Sequence, residues 1–483
     1  MSPGGLIALA ILLPAAGALT AAVAHRHRDL REATTLVIGG ALVLVVVRIA
    51  LTGSASLELV QLMPGIALAF DVEPLGLLFA LVASTLWVVT TAYSIGYMRG
   101  HDEDHQSRFY ACFALSISAT MGIAFARNLL TLFVFYELLT LSTYPLVIHH
   151  RTEGALRAGR IYLGVLLSTS IGLLLLAVIW TWCYTGTLEF RPGGILDGRV
   201  DPRTAAILLG LYAFGIGKAA LMPFHRWLPA AMVAPTPVSA LLHAVAVVKA
   251  GVFSILKVVV YVFGIDFLAN AAASVWLMHV AALTIVLASL IALTKDNLKA
   301  RLAYSTISQL SYIVLGAALA NRWGVIGGGM HIATHALGKI TLFFCAGAIY
   351  IAADKTEISE MRGIGRVMPV TTFAFLLGSL SIIGLPPMGG SWSKWLLMLG
   401  SADAQRLSLI AVLMVSSLLN IAYLMPVVIR GFFCAPPGLD GPVKIREAPL
   451  FCVVPLCLTA IGCLAIFFYA DEIYRLLAPV ARP

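Results

Sequence analysis

Residues 385–394, LPPMGGSWSK, break an apolar span with two prolines and two glycines directly before a lysine. Proline removes a backbone hydrogen-bond donor, and hydrocarbon cannot hydrogen-bond the carbonyl groups that a broken helix leaves free. A second apolar span holds Lys218 and then runs into residues 222–225, MPFH. Broken spans at related positions in two halves point to inverted repeats around a transport pathway.

The composition places the chain in a membrane. Hydrophobic residues make up 60% of the sequence and charged residues 11%, with a mean hydropathy of +0.95, which is outside the range of soluble globular proteins. We therefore expect residues 1–483 to form a single polytopic membrane domain. The first apolar run, from Leu6 to Ala24, is predicted to be retained as a helix because no basic segment precedes it.

About fourteen apolar stretches are long enough to cross a bilayer, so the predicted fold class is an all-α membrane protein. The expected spans cover residues 4–24, 34–52, 74–97, 109–126, 129–148, 160–184, 204–222, 237–261, 270–294, 302–320, 323–352, 368–384, 405–430 and 449–470.

The loops between these spans differ in charge. Numbered from the N-terminus, the odd loops with their edges carry 18 Lys and Arg residues, whereas the even loops and the C-terminal tail carry 8. Lys and Arg are enriched in cytoplasmic loops, so the odd loops are predicted to be cytoplasmic and both termini periplasmic, in a bacterial inner membrane. The same rule explains the net charge of +9 without a nucleic-acid partner.

Few charged side chains fall inside the expected spans. Of 23 acidic residues, only Glu137, in the sequence LFVFYEL, lies in the middle of a span. Lys218, Lys249 and Lys339 also lie within spans, and Lys394 lies where the broken twelfth span resumes. A charged group in hydrocarbon is costly without a partner, so these side chains are candidate functional residues.

Buried lysines suit a proton relay because a buried amine can lose its proton near neutral pH, whereas arginine stays charged. A nearby carboxylate would keep the lysine protonated, and its withdrawal would release the proton. Glu137 and Lys218 are the predicted pair of this kind, and the alternative is a static ion pair that fixes helix packing. Lys257 and Arg48 lie near span ends and can reach the interface, so a structural role is predicted for both.

A stripe of basic residues follows one face of the eleventh span, because His331, His335 and Lys339 recur at every fourth position. Such side chains can pass protons through intervening water. His243 and Lys249 of the eighth span are assigned to the same group, since imidazole titrates near neutral pH; a packed core histidine is the alternative for His243. Two histidines at this spacing also suit a metal, but no H-E-x-x-H pattern or further membrane carboxylate completes a site.

No redox group or other cofactor is predicted. The seven cysteines stand singly without C-x-x-C spacing, and no phosphate loop, dinucleotide motif or nucleophile elbow is present. His149, His150 and His225 lie at predicted cytoplasmic span ends, where proton uptake and simple interface placement are equally compatible with their position.

Several segments together resemble the antiporter-like family shared by Mrp-type sodium/proton antiporters, respiratory complex I and membrane-bound hydrogenases. The segments are FYE (135–137), GIGK (215–218), PFHRWLP (223–229), APTPVSALLH (234–243) and VKAG (248–251). GKITLFFCAGA (338–348) is most similar to the D-type subunits of Mrp antiporters.

The resemblance implies a fourteen-helix fold with two inverted five-helix repeats, residues 109–261 and 270–430, and broken seventh and twelfth helices. It assigns proton-transfer roles to Glu137, Lys218, His243, Lys249, His331, His335, Lys339 and Lys394. Lys394 stands where the middle antiporter-like subunit of complex I has a glutamate, and the sequence shows neither the long lateral helix of the distal complex I subunit nor the large extension of the Mrp A subunit.

The implied function is that of a proton-translocating subunit of a multisubunit sodium/proton antiporter, with H⁺ and Na⁺ as transported ions and other hydrophobic subunits as partners in the bilayer. One alternative is an antiporter-like subunit of complex I or a membrane hydrogenase, driven by electron transfer in partner subunits. Another is a scaffold whose buried charges only fix packing, and a third is an assembly with a carbon-uptake partner.

Overall fold

The computed structural model describes residues 2–63, 65–435 and 444–481. Its long helices are α1 Pro3–Val23, α2 Arg28–Thr52, α3 Pro74–Gly100, α4 Gln106–Ala124, α5 Leu129–Val147, α6 Glu153–Thr185, α7 Pro202–Gly215, α8 Thr236–Phe263, α9 Val275–Thr294, α10 Leu298–Ala318, α11 Arg322–Ala353, α12 Pro369–Ile383, α13 Gly390–Asp403, α14 Leu407–Phe433 and α15 Leu450–Phe468. Shorter helices are Trp227–Ala230, Ile265–Ala271, Ile364–Val367 and Ala470–Leu477, and two strands, β1 Ser56–Met63 and β2 Ile66–Asp71, follow α2.

The predicted helical membrane fold is confirmed. In the described residues, ten helices are long and apolar enough to cross a membrane. Each remaining predicted span also overlaps a helix, but α4, α7, α10 and α12 are too short or too polar to count among the ten. They carry polar residues and helix breaks, because their inward faces meet other helices instead of lipid.

The hairpin β1–β2 was not expected from the sequence. It is antiparallel, turns at Gly65 with φ of +80°, and lies against the loop between α4 and α5. The N–H of Asp71 donates to the carbonyl of Phe125 at 2.8 Å, and the N–H of Arg127 donates to the carbonyl of Ala69 at 2.9 Å. These hydrogen bonds pair backbone groups along the edge of β2 that would otherwise lack partners. The hairpin therefore covers this end of the helix bundle.

The seventh span breaks earlier than predicted. Helix α7 ends at Gly215, well before Pro223. Beyond the break, the backbone N–H of Lys218 donates to the side-chain hydroxyl of Tyr136 on α5 at 3.0 Å. The indole N–H of Trp227 donates to the freed carbonyl of Gly217 at 3.0 Å. Side chains thus take over the hydrogen bonds that the broken helix loses.

The twelfth span breaks where the sequence predicts. Helix α12 ends at Ile383, Gly384 adopts φ of +89°, and α13 begins at Gly390. A left-handed residue directly after a helix is a common helix stop, and glycine adopts it without strain. The two halves of this span remain separate helices that both pack against α11.

Helix α8 occupies the centre of the protein. All residues of its apolar 18-residue stretch are buried, whereas 28% of the corresponding stretch of α2, which faces outward, is buried. Helices α3, α5, α7, α10 and α11 surround it. The buried polar side chains of the molecule therefore concentrate along α8 and α11.

The loops separate into two faces. The loops after α2, α4, α6, α8 and α10 meet around one cavity, together with residues 479–481; we call this side the even-loop face. The loops after α3, α5, α7, α9 and α11 meet around another cavity, on the odd-loop face. Because consecutive loops alternate between faces, the alternation assumed in counting loop charges is consistent with the structure.

Candidate functional site: a buried line of lysine and histidine

Lys218 lies in the break after α7 and is fully buried. Its Nζ donates to the carbonyl oxygen of Tyr136 at 2.8 Å and to Oγ1 of Thr140 at 2.5 Å, and it lies 3.2 Å from the centroid of the Tyr136 ring. A carbonyl, a hydroxyl and a π-face stabilise an ammonium group without neutralising it. The break in the helix is what turns this side chain toward α5.

Glu137 lies beside this group without forming an ion pair with it. Among the described residues, neither carboxylate oxygen of Glu137 has a hydrogen-bond partner. Glu137 is one turn from Thr140 on the same face of α5, and Thr140 contacts Lys218 directly. The two predicted residues therefore both lie next to Thr140 without forming an ion pair, and a modulating role for Glu137 stays a prediction.

Lys249 on α8 makes a direct contact with α11. Its Nζ contacts Nδ1 of His335, and both side chains are almost completely buried. The ring of His335 lies 5.7 Å from the ring of His331, centroid to centroid. Three of the predicted residues thus form one continuous group across the α8–α11 interface.

The group continues to the broken twelfth span. Nδ1 of His331 lies 2.9 Å from Oγ of Ser393, whose neighbour in the chain is Lys394. The Tyr312 ring stacks on His331 at 5.5 Å on one side and lies 4.9 Å from Nζ of Lys394 on the other. The line from Lys249 therefore ends at Lys394.

Lys394 has the same kind of surroundings as Lys218. Its Nζ donates to the carbonyl of Ile383 at 2.9 Å and to Oγ of Ser417 at 3.1 Å. Ile383 is the last residue of α12, so its carbonyl accepts no hydrogen bond within that helix. Each broken span thus places one lysine among backbone and hydroxyl oxygens in the interior.

Two predicted residues flank this line. Lys339, one turn beyond His335 on α11, donates from Nζ to Oγ of Ser305 at 2.6 Å. His243 is fully buried 4.8 Å from the ring of Phe343, and neither of its ring nitrogens has a partner within the described chain. No hydrogen bond among the described residues joins His243 or Lys249 to Lys218, so the structure shows two groups and not one unbroken chain.

Lys257 does not extend to the interface as expected, while the structural role predicted for it stays a prediction. Lys257 is 1% exposed and forms an ion pair with Glu73 at 3.1 Å, so it does not reach toward the interface. It lies in a turn of α8 that the neighbouring loops cover. Arg48 is exposed, as predicted, and His279 is exposed on α9, away from the buried line.

The structure adds residues that the sequence did not single out. Tyr136 and Thr140 hold Lys218, while Tyr312 and Ser393 connect His331 to Lys394. They are ordinary buried tyrosines and hydroxyls, and only the proximity of Tyr136 to Glu137 and of Ser393 to Lys394 along the chain was visible beforehand.

The odd-loop face has a smaller opening of about 230 Å³. Glu103 and His150 line it, and the Nζ of Lys299 at its wall donates to the carbonyl of Ala234 at 2.6 Å. His149 lies close by, its Nε2 3.8 Å from Oε2 of Glu103. The histidines at these span ends thus gather around one buried carboxyl group, and His225 is separate from them, near Tyr304.

Chemically, the line consists of groups that bind protons. Lysine and histidine nitrogens exchange protons, and one water molecule spans a gap such as that between the rings of His331 and His335. In the described residues, no cluster of three His, Cys, Asp or Glu side chains has the arrangement of a metal site. The site is suited to carrying positive charge through the membrane interior.

Residues 126–420 match the family described as NADH:quinone oxidoreductase/Mrp antiporter, TM. The chain is 32% identical over 433 residues to NADH-quinone oxidoreductase subunit N of Desulforudis audaxviator, covering 87% of this chain and 85% of that protein. It is also 32% identical over 348 residues, 68% of this chain, to NAD(P)H-quinone oxidoreductase chain 5 of Synechocystis sp., of which it spans 49%.

A chain in the structure of the Mrp complex from Dietzia sp. DQ12-45-1b has the same fold. The TM-score is 0.85 at 21% identity, over 99% of this chain and 97% of that one. The family match, the sequence identity and the fold all indicate the same transmembrane family. The protein described here therefore belongs to the NADH:quinone oxidoreductase/Mrp antiporter transmembrane family, as an antiporter-like membrane subunit.

Proposed function

We propose that this chain is the proton-translocating subunit of a multisubunit monovalent cation/proton antiporter of the Mrp type, equivalent to a D-type subunit. The observation that carries the proposal is the contact line from Lys249 through His335 and His331 to Ser393 and Lys394. It joins the central helix to one broken span, while Lys218 occupies the other. The repeats at 109–261 and 270–430, each with one broken span, are part of this proposal.

The nature of the side chains favours protons over sodium in this line. Sodium is a hard cation that binds oxygen ligands, and the nitrogen atoms of lysine and histidine repel it or bind it poorly. Glu137, the one carboxylate predicted for proton transfer, lies beside Lys218 and not in this line. Sodium would then cross elsewhere in the assembly, with neighbouring hydrophobic subunits as partners and the odd loops in the cytoplasm of a bacterium.

Lys394, which stands where the middle antiporter-like subunit of complex I has a glutamate, supports the Mrp assignment. A second candidate is an antiporter-like subunit of an NADH-quinone oxidoreductase or a related redox-driven complex. The identity to subunit N over most of both chains favours it. The same proton line would serve there, but electron transfer in partner subunits would drive it.

The test is cation-dependent proton exchange in everted vesicles that contain the whole assembly. Glu137→Gln and Lys218→Met are compared with Glu472→Gln and Lys444→Met, which change exposed side chains. The proposal expects loss of Na⁺-dependent exchange in the first two variants, with the complex still assembled, and wild-type exchange in the controls.

Unchanged exchange in Glu137→Gln and Lys218→Met would show that buried charge only fixes packing. If the wild-type assembly shows no cation exchange but acidifies the vesicles when an electron donor is added, the redox-driven candidate replaces the antiporter.

A further inference from the structure

A cavity of about 1130 Å³ opens on the even-loop face. Its walls come from five loops and from residues 479–481, and none of the residues assigned to the buried line reaches it. Charged residues line it from several elements: Asp71 at the end of β2, Arg127 and Glu189 in an ion pair of 2.8 Å, Arg191, Asp266 and Arg322. Such a lining holds water and small ions in place of lipid tails.

The floor of this cavity is a compact group of three side chains. Nζ of Lys257 lies 3.1 Å from Oε1 of Glu73 and donates to the carbonyl of Ala126 at 2.7 Å. The hydroxyl of Tyr261 donates to Oε2 of Glu73 at 2.6 Å, and the N–H of Gly76 donates to Oε1 at 3.1 Å. All three side chains line the cavity, although Lys257 is only 1% exposed.

Lys257 lies on the same helix as Lys249 of the buried line. Lys249 and Lys257 lie on the same helix, two turns apart, which corresponds to about 12 Å of rise. Lys249 contacts His335 at the centre of the protein, and Lys257 faces the cavity. A π-helical turn, Val259–Phe263, follows Lys257 directly, and such turns occur often at functional sites.

We propose that this cavity is an aqueous vestibule and that Glu73 and Lys257 form a proton-exchange site at its floor, through which the buried line meets the even-loop face. The inference rests on the proposed function. In the exchange step the Lys257 ammonium transfers one proton from Nζ to a vestibule water and keeps the electron pair. It then regains a proton from the line, while Glu73 remains a carboxylate held by Tyr261.

A purely structural ion pair makes a different prediction. Arginine keeps a positive charge beside Glu73 but does not lose its proton in proteins, whereas lysine does. A packing role is therefore satisfied by Lys257→Arg, and a proton-exchange role is not. The variant Lys257→Arg therefore distinguishes a packing role from a proton-exchange role.

The experiment measures Na⁺-dependent proton exchange of the assembled complex in proteoliposomes. Lys257→Arg is expected to assemble normally and to slow exchange by about tenfold or more. Arg475→Lys, an exposed cation near the C-terminal end, is expected to exchange as wild type. Wild-type exchange in Lys257→Arg would overturn the proposal.

A second variant covers the case in which Lys257→Arg fails to assemble. Ala269→Cys places a thiol at an exposed position of the cavity wall, where a bulky, membrane-impermeant maleimide should block exchange. Labelled Arg475→Cys and the maleimide-treated wild type, which has its own exposed Cys183, are the controls. Full exchange after complete labelling at position 269 would equally overturn the vestibule.

Lys218→Met is measured in parallel. If it retains exchange, the proposed function itself fails. If it loses exchange while Lys257→Arg and labelled Ala269→Cys keep it, the antiporter proposal stands and only the vestibule is wrong.

Discussion

Nζ of Lys249 contacts Nδ1 of His335, and this contact joins α8 to α11 at the centre of the protein. Which of the two nitrogen atoms donates depends on the tautomer of His335. Nε2 of His335, on the other edge of the ring, has no partner in the described part of the chain. A proton arriving at Nε2 would therefore displace positive charge toward Lys249, as a relay requires.

The first prediction concerns His335→Gln. Glutamine still offers Lys249 an acceptor, but an amide does not take up and pass on a proton. We expect normal assembly and a fall in cation-dependent exchange of about a hundredfold, measured by the recovery of a pH-sensitive dye in everted vesicles. His279→Gln, on the exposed face of α9, is the matched control. Equal rates in both variants would exclude His335 from the proton path.

The second prediction concerns Ser393→Ala. The change removes the hydroxyl that lies 2.9 Å from Nδ1 of His331 and leaves Lys394 in place. One hydrogen bond contributes about 1 kcal/mol, so exchange should slow by roughly fivefold. Ser401→Ala in the same helix removes a buried hydroxyl that bonds only to Leu397 of that helix. A comparable loss in Ser401→Ala would attribute the effect to helix packing.

The parts of the site that follow local patterns were predictable. His331, His335 and Lys339 share a helix face because of their spacing alone, and the structure places them together. The spans followed from apolar length, and Gly384 with the prolines after it marked the break between α12 and α13. Each of these features is determined by interactions within one helix or between the chain and lipid, which a local sequence pattern reveals.

The parts that depend on pairing between distant segments were not predictable. Lys257 looked like a lysine at a span end, because nothing in its neighbourhood shows that Glu73 at the start of α3 would lie beside it. Helix α7 ends early because Tyr136 of α5 binds the N–H of Lys218. The hairpin forms because the α4–α5 loop pairs with β2. Each needs a tertiary contact that a single sequence does not reveal.

The third prediction concerns the stability of the break in the twelfth span. A Cβ atom at Gly390 would overlap the carbonyl oxygen of Ser381, whereas a Cβ at Gly40 on α2 meets no atom within 4 Å. Gly390→Ala must therefore displace backbone, at a cost of about 1–3 kcal/mol, while Gly40→Ala should be neutral or stabilising. The measurement is the apparent melting temperature of the protein in detergent, and equal values for both variants would contradict the tight packing of α13 against α12.

The fourth prediction concerns pH and the histidine after α5. Burial lowers the pKa of His149 from its ordinary value of 6.5 to about 4, and burial raises the pKa of Glu103. At 3.8 Å the two side chains are too far apart for a hydrogen bond, and the lowered pKa of His149 leaves its ring uncharged at neutral pH, so the two do not form an ion pair there. Both groups lie in loops on the odd-loop face.

The pKa shifts of His149 and Glu103 change folding stability in opposite directions as the pH falls. Below pH 6.5 the unfolded chain binds a proton at His149 that the folded protein does not bind until about pH 4. Stability should therefore fall as the pH drops through this window, by up to roughly 1.4 kcal/mol per pH unit from this group. Glu103 binds its proton more readily in the folded protein and partly offsets the loss.

His149→Asn removes the loss of stability that protonation of His149 causes at low pH, and it keeps the opposite contribution of Glu103. Between pH 7 and pH 5 the apparent melting temperature should therefore fall less in His149→Asn than in wild type. His279→Asn changes an exposed ring on α9 and should behave as wild type. An equal fall in His149→Asn and wild type would mean that folding does not lower the pKa of His149.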